Sequence, residues 1–326
     1  MKNNGNKKDN VPQEKNENSS DKKSFQLVFW LLAAKIGFIL ILAGLAFWLI
    51  YSVHSSASRD QAAVRFGKVH GSGFTESGDR LWIASNSGII SYHNGSWKKE
   101  AMTNRSAGTQ NLPVKDGYLQ ISENGMAAER SYDGHLIRSI PFSKKFAGGL
   151  WGTDDSAQTF YNLKSDVGKL LLSYSTDGGK NWSSDDLKGI KGKILMLAVH
   201  PEKADTFAIA TTKGLFVTQD GGAHFQSYLN GKSVSSVSFA GGSDVSLLAG
   251  TYGNDTALYN ILPAHQKTIN LEMDTVEGDR LVQISQSLVN KQEAAVLTES
   301  GDVYLTRNGG QNWVIIAQKG RGLSGA

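Results

Sequence analysis

The sequence contains no cysteine and only five prolines among its 326 residues. Without cysteine the chain forms no disulfide, has no thiolate nucleophile and offers no sulfur ligand to zinc. Basic residues exceed acidic residues by only four, and three of these excess charges lie within the first 35 residues. A nucleic-acid-binding domain usually carries a concentrated basic face, so the composition gives no indication of a nucleic-acid partner.

Large apolar side chains are nearly absent from residues 1–24, which are rich in Asn, Lys, Asp, Glu and Ser. Such a segment cannot bury a core and is predicted to be a disordered tail. Residues 25–53 are apolar apart from Lys35, and this length is enough to cross a bilayer as a helix. We therefore expect one transmembrane helix over 25–53, a linker over 54–63 and a globular domain over 64–326.

Lys22 and Lys23 stand immediately before the apolar segment. The positive-inside rule then places the N-terminus in the cytoplasm and the globular domain outside the cell membrane. A cleaved signal peptide is the alternative, because Ser56 and Ser58 resemble the small residues of a cleavage site. Signal peptides have apolar regions of about 7–15 residues, and the longer segment here favours an uncleaved anchor. Lys35 either extends to the headgroups or contacts an acidic residue in a partner's transmembrane helix.

Three similar octets recur in the second half of the chain. They read STDGGKNW over 175–182, TQDGGAHF over 218–225 and TRNGGQNW over 306–313. The first two begin 43 residues apart and the third begins 88 residues later, close to twice that period. Such spacing is typical of a repeat architecture. Stepping back by the period finds degenerate copies that begin at Ser131 and Ser91.

The octets resemble the Asp-box (BNR) motif of sialidases, sortilin-type receptors and photosystem II assembly factors, Ser/Thr-x-Asp-x-Gly-x-x-Trp/Phe. The resemblance implies a β-propeller in which the motif is structural rather than catalytic. A short side-chain oxygen would accept backbone N–H bonds and close the turn, the glycines would allow positive φ, and the aromatic residue would pack between blades. The positions that match are Ser175, Asp177, Gly179 and Trp182, then Thr218, Asp220, Gly222 and Phe225, then Thr306, Asn308 (for the usual Asp), Gly310 and Trp313.

Short runs of β-branched and apolar residues around the octets indicate four strands in each repeat. Counting back to Val69 places six blades in the domain, whereas seven blades would leave fewer than 40 residues for each. We expect an all-β fold, a six-bladed or alternatively a seven-bladed β-propeller preceded by one transmembrane α-helix. Residues 64–69 are a candidate for an added outer strand that closes the ring.

The resemblance to sialidases raises the alternative of a cell-envelope glycoside hydrolase. Sialidases bind the substrate carboxylate with three arginines and use a Tyr nucleophile with acidic partners. Arginine is sparse in the globular region, and Arg138 and Arg280 are the candidates to test. The histidines lack metal-binding spacing and no phosphate or dinucleotide motif occurs. We therefore expect no enzymatic activity, no cofactor and no metal site.

The favoured function is a membrane-anchored, extracytoplasmic module that binds or assembles a protein or an envelope glycan. The anchor and the repeats support this reading, while no residue pattern specifies the ligand. A sensor subunit that acts through its transmembrane helix, and requires Lys35, is a further alternative.

Overall fold

A computed structural model describes residues 30–32, 34–49, 64–101, 110–142, 146–166, 168–253, 256–273, 276 and 278–323. One helix, α1, spans Trp30–Leu49 and is long and apolar enough to cross a membrane. A rise of 1.5 Å per residue makes these 20 residues about 30 Å long, close to the thickness of a bilayer core. The N-terminal tail, the expected linker and both ends of the expected apolar segment lie outside the described residues.

The second unit is a six-bladed β-propeller. Each blade is an antiparallel sheet whose strands follow the order of the chain. The first strands of neighbouring blades contact one another around the ring and are therefore the innermost strands. Alternation of apolar, β-branched residues with turn glycines favours such short strands over helices.

The first three blades contain twelve strands: β1 (Val69–Phe74), β2 (Leu81–Ser85), β3 (Gly88–His93) and β4 (Ser96–Ala101); β5 (Gln110–Val114), β6 (Gly117–Ile121), β7 (Met126–Arg130) and β8 (Leu136–Pro141); β9 (Leu150–Thr153), β10 (Phe160–Asp166), β11 (Lys169–Ser175) and β12 (Ser183–Leu187). The last three contain thirteen: β13 (Ile194–Val199), β14 (Phe207–Thr211), β15 (Gly214–Thr218) and β16 (Gln226–Tyr228); β17 (Ser233–Phe239), β18 (Leu247–Tyr252), β19 (Leu258–Leu262) and β20 (Lys267–Asn270); β21 (Leu281–Gln286), β22 (Ala294–Thr298), β23 (Val303–Thr306), β24 (Val314–Gln318) and β25 (Arg321–Gly322).

The six blades confirm the preferred count, and the seven-bladed alternative is wrong. Blade 6 has a fifth strand, β25, and the first described residues of the domain pair with its free edge. Phe66 N donates to Gly320 O at 2.8 Å and Gly322 N donates to Val64 O at 2.9 Å. The closing segment is thus residues 64–66, because Val69 already belongs to β1.

Trp97, on the outermost strand of blade 1, completes this closure. Its Nε1 donates to Ile316 O in blade 6 at 2.8 Å, and its ring lies 6.0 Å from that of Phe66. A Cβ at Gly322 would lie 2.6 Å from Trp97 Cδ1, so only glycine fits below the indole. The first and last blades are therefore joined by both backbone pairing and aromatic packing.

The core is divided among the interfaces between neighbouring blades. Six apolar clusters occur, one at each interface. Between blades 2 and 3, Phe142 stacks on Trp151 with 4.7 Å between ring centroids. Between blades 3 and 4, Tyr161 packs on Phe207 at 5.0 Å. Burying each large apolar side chain contributes about 1.5–3 kcal/mol, so the ring is stabilised mainly by contacts between blades.

Successive strands of a blade run in opposite directions, so their connecting loops lie on two opposite faces of the disc. Turns after the first and third strand of every blade lie on one face, which we call the upper face. Turns after the second strand, and the links between blades, lie on the opposite, lower face. This distinction follows from the antiparallel order of the sheets and positions every loop discussed below.

Candidate functional site

The three octets form the turns between the third and fourth strands of blades 3, 4 and 6, all on the upper face. In the first, Ser175 Oγ accepts from Gly179 N at 2.9 Å and donates to Asp177 Oδ1 at 2.9 Å. Asp177 Oδ1 also accepts from Asn181 N at 2.9 Å. The side chains of the first and third positions therefore satisfy backbone N–H groups that a tight turn leaves unpaired.

The other two octets repeat these bonds. Asp220 Oδ1 accepts from His224 N at 2.9 Å, and Asn308 Oδ1 accepts from Asn312 N at 2.9 Å. Thr218 and Thr306 occupy the place of Ser175 and accept from Gly222 N and Gly310 N, each at 3.0 Å. An amide oxygen thus makes the same bond as a carboxylate, which explains why the third copy tolerates asparagine.

Hydrogen bonding to the ionised form shifts the titration of both octet acids. Backbone and side-chain donors of Asn181 lower the pKa of Asp177 to about 2. The corresponding groups of His224 lower the pKa of Asp220 to about 2. Both carboxylates remain ionised at neutral pH, so neither can serve there as a general acid.

The second glycine and the aromatic residue of each octet face the preceding blade. A Cβ at Gly179 would lie 3.0 Å from Phe142, one at Gly222 3.1 Å from Leu187, and one at Gly310 2.9 Å from Leu271. Trp182 packs edge-on against Phe142 at 5.4 Å. Phe225 packs against the cluster between blades 3 and 4, and Trp313 packs against the cluster between blades 5 and 6. These residues therefore join blades.

The degenerate copies also lie between the third and fourth strands of their blades, but their turns are shorter. At Ser91 the turn is a two-residue hairpin in which Asn94 and Gly95 both have positive φ, 47° and 76°. At Ser131 the hydroxyl bonds Asp133 and His135 O in a shorter turn. Blade 5 has a single 3₁₀ turn at Pro263–His265 instead.

An axial cavity of about 290 Å³ opens on the upper face, lined by the second halves of all six innermost strands and the turns that follow them. Most of its lining is apolar. The side chains that define its walls include Phe74, Leu112, Met196, Val237, Phe239 and Ile284.

Several polar groups of the cavity already bond to one another. The hydroxyls of Ser72 and Ser285 lie 2.6 Å apart, and Gln286 Nε2 donates to Ser238 O at 2.7 Å. These internal bonds engage Ser72, Ser285 and Gln286, and most of the remaining wall is apolar. The cavity wall therefore suits an apolar ligand better than one with many hydroxyls.

Charge is confined to the mouth of the axial cavity, where three carboxylates accompany one ammonium group. Lys115 Nζ pairs with Glu76 Oε1 at 3.1 Å. Asp155 and Glu202 form no ion pair within the described parts of the chain. Burial, together with the charges of Asp154 and Glu202, raises the pKa of Asp155. Glu202 Oε1 accepts from Gly242 N at 2.7 Å, and the charge of Lys115 acts on Asp155 from a distance, so neither carboxylate has a cation in direct contact.

His200 supports the turn that carries Glu202. It is fully buried, and its Nδ1 accepts from Glu202 N and Lys203 N, each at 3.2 Å. Burial and the nearby Lys203 lower its pKa to about 4. Since Nδ1 accepts, the neutral ring carries its proton on Nε2, which has no partner among the described residues.

None of the residues singled out in the octets lines the axial cavity. Arg138 pairs with Glu129 and donates to Ala157 O at 2.8 Å on an outer strand, and Arg280 lies over the ring of Tyr252 on the lower face. Neither of these arginines lines the cavity. Lys35 is exposed on α1. No group of three metal-binding side chains occurs in the described residues.

No family model and no curated protein matches this chain. Among solved structures, it is similar to a GH74 enzyme of Niastella koreensis with 14% identity and a TM-score of 0.51, over 78% of this chain and 46% of that chain. The chain thus spans just under half of that enzyme's length. It is also similar to YCF48 in complex with a D1 peptide, with 14% identity and a TM-score of 0.46 over 78% of this chain and 84% of that chain.

YCF48 of Cyanidioschyzon merolae matches with 13% identity and a TM-score of 0.48, over 74% of this chain and 83% of that chain. At such identities the likeness concerns the fold alone. The match to the GH74 enzyme agrees with the propeller architecture, while function has to be argued from the axial cavity.

Proposed function

We propose that this protein is a membrane-anchored, extracytoplasmic binding module whose axial cavity holds a short segment of a partner protein. In this proposal α1 is an uncleaved anchor with the N-terminus in the cytoplasm, residues 1–24 are a tail, and residues 54–63 are a linker. The observation that carries the binding role is the apolar axial cavity with two carboxylates at its mouth that lack cationic partners.

A protein segment fits the axial cavity better than a glycan. Glycan recognition requires many free donors and acceptors, whereas Ser72, Ser285 and Gln286 are already engaged. An apolar side chain would gain about 25 cal/mol for each Å² that it buries on the aliphatic wall. A lysine or arginine next to it would form charge-assisted hydrogen bonds with Asp155 and Glu202.

The octets, in this proposal, are structural Asp-box turns. Their hydrogen-bonding side chains find partners within each turn, and their aromatic residues pack towards the preceding blade. They maintain the spacing of the blades, and hence the positions of the innermost strands that shape the cavity. A direct contact with the ligand is not required of them.

Peptide selection would test the binding role. Full-length protein in nanodiscs would be offered a displayed library of short random peptides. We expect enriched sequences that place an apolar residue beside lysine or arginine. Asp155→Asn combined with Glu202→Gln should lower the affinity for the enriched peptides by about 10- to 100-fold, since hydrogen bonds to charged groups contribute about 1.5–3 kcal/mol.

Asp244→Asn is the matched control, because Asp244 is an exposed upper-face acid outside the cavity lining. Enrichment of peptides without basic residues, or equal binding to the double variant and the control, would contradict the proposal.

A glycoside hydrolase is the second candidate, and one observation favours it. The raised pKa of Asp155 next to the carboxylate of Glu202 resembles the acid–base pairs of glycosidases. Turnover of a panel of fluorogenic glycosides, abolished by Asp155→Asn and retained by Asp244→Asn, would establish it. Arg138 is engaged on an outer strand, so Asp155 is the better residue to change.

A further inference from the structure

The lower face carries a compact group of lysines. Lys188, Lys191 and Lys193 lie in the link between β12 and β13, and Lys213 lies in the turn between β14 and β15. All four side chains are exposed. We call these four residues the lysine surface. The axial cavity opens on the opposite face, so the lysine surface is separate from the proposed binding site.

Two hydrogen bonds hold the two segments together, one between backbone groups and one to a side-chain hydroxyl. Thr212 N donates to Lys193 O at 3.0 Å, and Lys193 N donates to Thr212 Oγ1 at 3.0 Å. A Cβ at Gly192 would lie 2.9 Å from Lys213 Cγ, so glycine permits the side chain of Lys213 to cross this link. The four lysines are therefore carried by one connected part of the lower face.

The lysine surface has no acidic counterpart. Residues 188–193 and 212–213 contain no Asp or Glu, and none of the four lysines forms an ion pair within the described parts of the chain. The nearby Asp186 is paired with Lys169 at 3.4 Å. The exposed Asp185 of the adjacent β12 offsets at most one of these charges, so the four ammonium groups create a local positive potential.

We propose that the lysine surface binds the anionic phospholipid headgroups of a bilayer. Exposed lysines bind anionic headgroups electrostatically, each strengthening association about fivefold near such a surface. Chain length favours a bilayer over a soluble polyanion. Only 14 residues separate Leu49 from Val64, and even fully extended they reach at most about 50 Å. Covalent reach therefore limits how far Val64 can lie from any membrane that α1 crosses.

Lysine labelling of the full-length chain would test this proposal. The protein would be placed in nanodiscs of phosphatidylcholine alone, or of phosphatidylcholine with phosphatidylglycerol, and given a short pulse of an acetylating reagent. Mass spectrometry should show the lysine surface labelled several-fold more slowly in the anionic discs. Salt at 1 M should remove this protection, because it shortens the electrostatic screening length to about 3 Å.

The chain supplies its own controls. Lys99, Lys180, Lys267 and Lys291 are exposed at scattered positions outside the lysine surface, and their labelling should be the same in both kinds of disc. Equal labelling of the lysine surface in the two lipids would overturn the proposal. So would a general slowing that includes the control lysines.

A second measurement separates lipid from other polyanions. Protein in phosphatidylcholine discs would be floated with phosphatidylglycerol vesicles, in wild-type form and with all four surface lysines changed to glutamine. Changing the four control lysines to glutamine alters net charge equally and should leave flotation unchanged. Loss of flotation in the first variant only would support the proposal. Protection by soluble polyphosphate, with none from phosphatidylglycerol, would overturn it in favour of a soluble ligand.

Discussion

Phe66→Ala should destabilise the propeller by opening the junction between its first and last blades. Phe66 is 6% exposed and belongs to the apolar cluster between blades 1 and 6. Truncating a buried phenylalanine typically costs about 3–5 kcal/mol. Because Phe66 lies near an edge where the gap can partly collapse, we expect about 3 kcal/mol, or roughly a 100-fold change in the folding equilibrium.

Urea unfolding of a fragment that spans 64–326 would measure this change, with tryptophan fluorescence and circular dichroism followed in parallel. Trp97 lies 6.0 Å from Phe66, so fluorescence should report the opening of the junction directly. Circular dichroism should report the six sheets. If closure is required for the whole ring, both signals should shift to lower urea together.

Arg65→Ala is the matched control, because Arg65 is exposed on the same closing segment and its substitution leaves the backbone bonds of Phe66 in place. An exposed substitution of this kind usually changes stability by less than about 0.5 kcal/mol. If Phe66→Ala costs no more than Arg65→Ala, the closing segment contributes little and the reasoning is refuted.

Other predictions concern titration and the octet turns. Burial holds the pKa of His200 near 4 against an ordinary 6.5, so between these values the unfolded chain binds a proton that the folded chain does not. The unfolding free energy should therefore fall as pH drops from about 6.5 to 4, and His200→Gln should flatten this decline in urea titrations at each pH. The lowered pKa values of Asp177 and Asp220 add stability that is present above pH 4 and lost towards pH 2. The Asp177→Asn variant should therefore fold normally at pH 7, and its unfolding free energy should fall less steeply than that of the wild type as the pH drops towards 2. Gly310→Ala should lower the unfolding free energy by about 2–4 kcal/mol, because the residue has positive φ and the added Cβ would lie 2.9 Å from a leucine. Gly309 also has positive φ but has open space around it, so Gly309→Ala should cost only about 1–2 kcal/mol in the same urea titration.

Much of the fold could be predicted because its determinants are local and repeated. Each octet combines a hydrogen-bonding side chain, two glycines and an aromatic residue within eight positions, and these have the same roles in three blades. The degenerate copy at Ser91 forms the turn between the third and fourth strands of blade 1, the place that the octets occupy in their own blades. The form of this turn is also set locally, because Asn94 and Gly95 both adopt positive φ, which suits a two-residue hairpin.

The axial cavity could not be predicted from local patterns. Its walls come from six segments that are far apart in the chain, and residues such as Met196 and Ile284 look like ordinary core residues until the ring is closed. Asp155 and Glu202 follow the first strands of blades 3 and 4, where acids are usually solvated loop residues. Only the circular arrangement brings these two loops to one mouth. The repeat period locates the first strand of each blade, and it could therefore have identified the residues that follow these strands as neighbours around the mouth.

The two faces of the disc differ in a way that bears on both proposals. The upper face has the axial cavity, with two carboxylates that lack cationic partners, and the lower face has four lysines that lack acidic partners. If the lower face binds anionic headgroups, the bilayer cannot cover the cavity mouth, because antiparallel strands place the two features on opposite sides. Membrane contact would then orient the module as well as retain it, and would direct the cavity mouth away from the bilayer. A partner would therefore be recognised through a segment that extends beyond the membrane surface, which agrees with an apolar peptide carrying a basic side chain better than with a lipid or a transmembrane ligand.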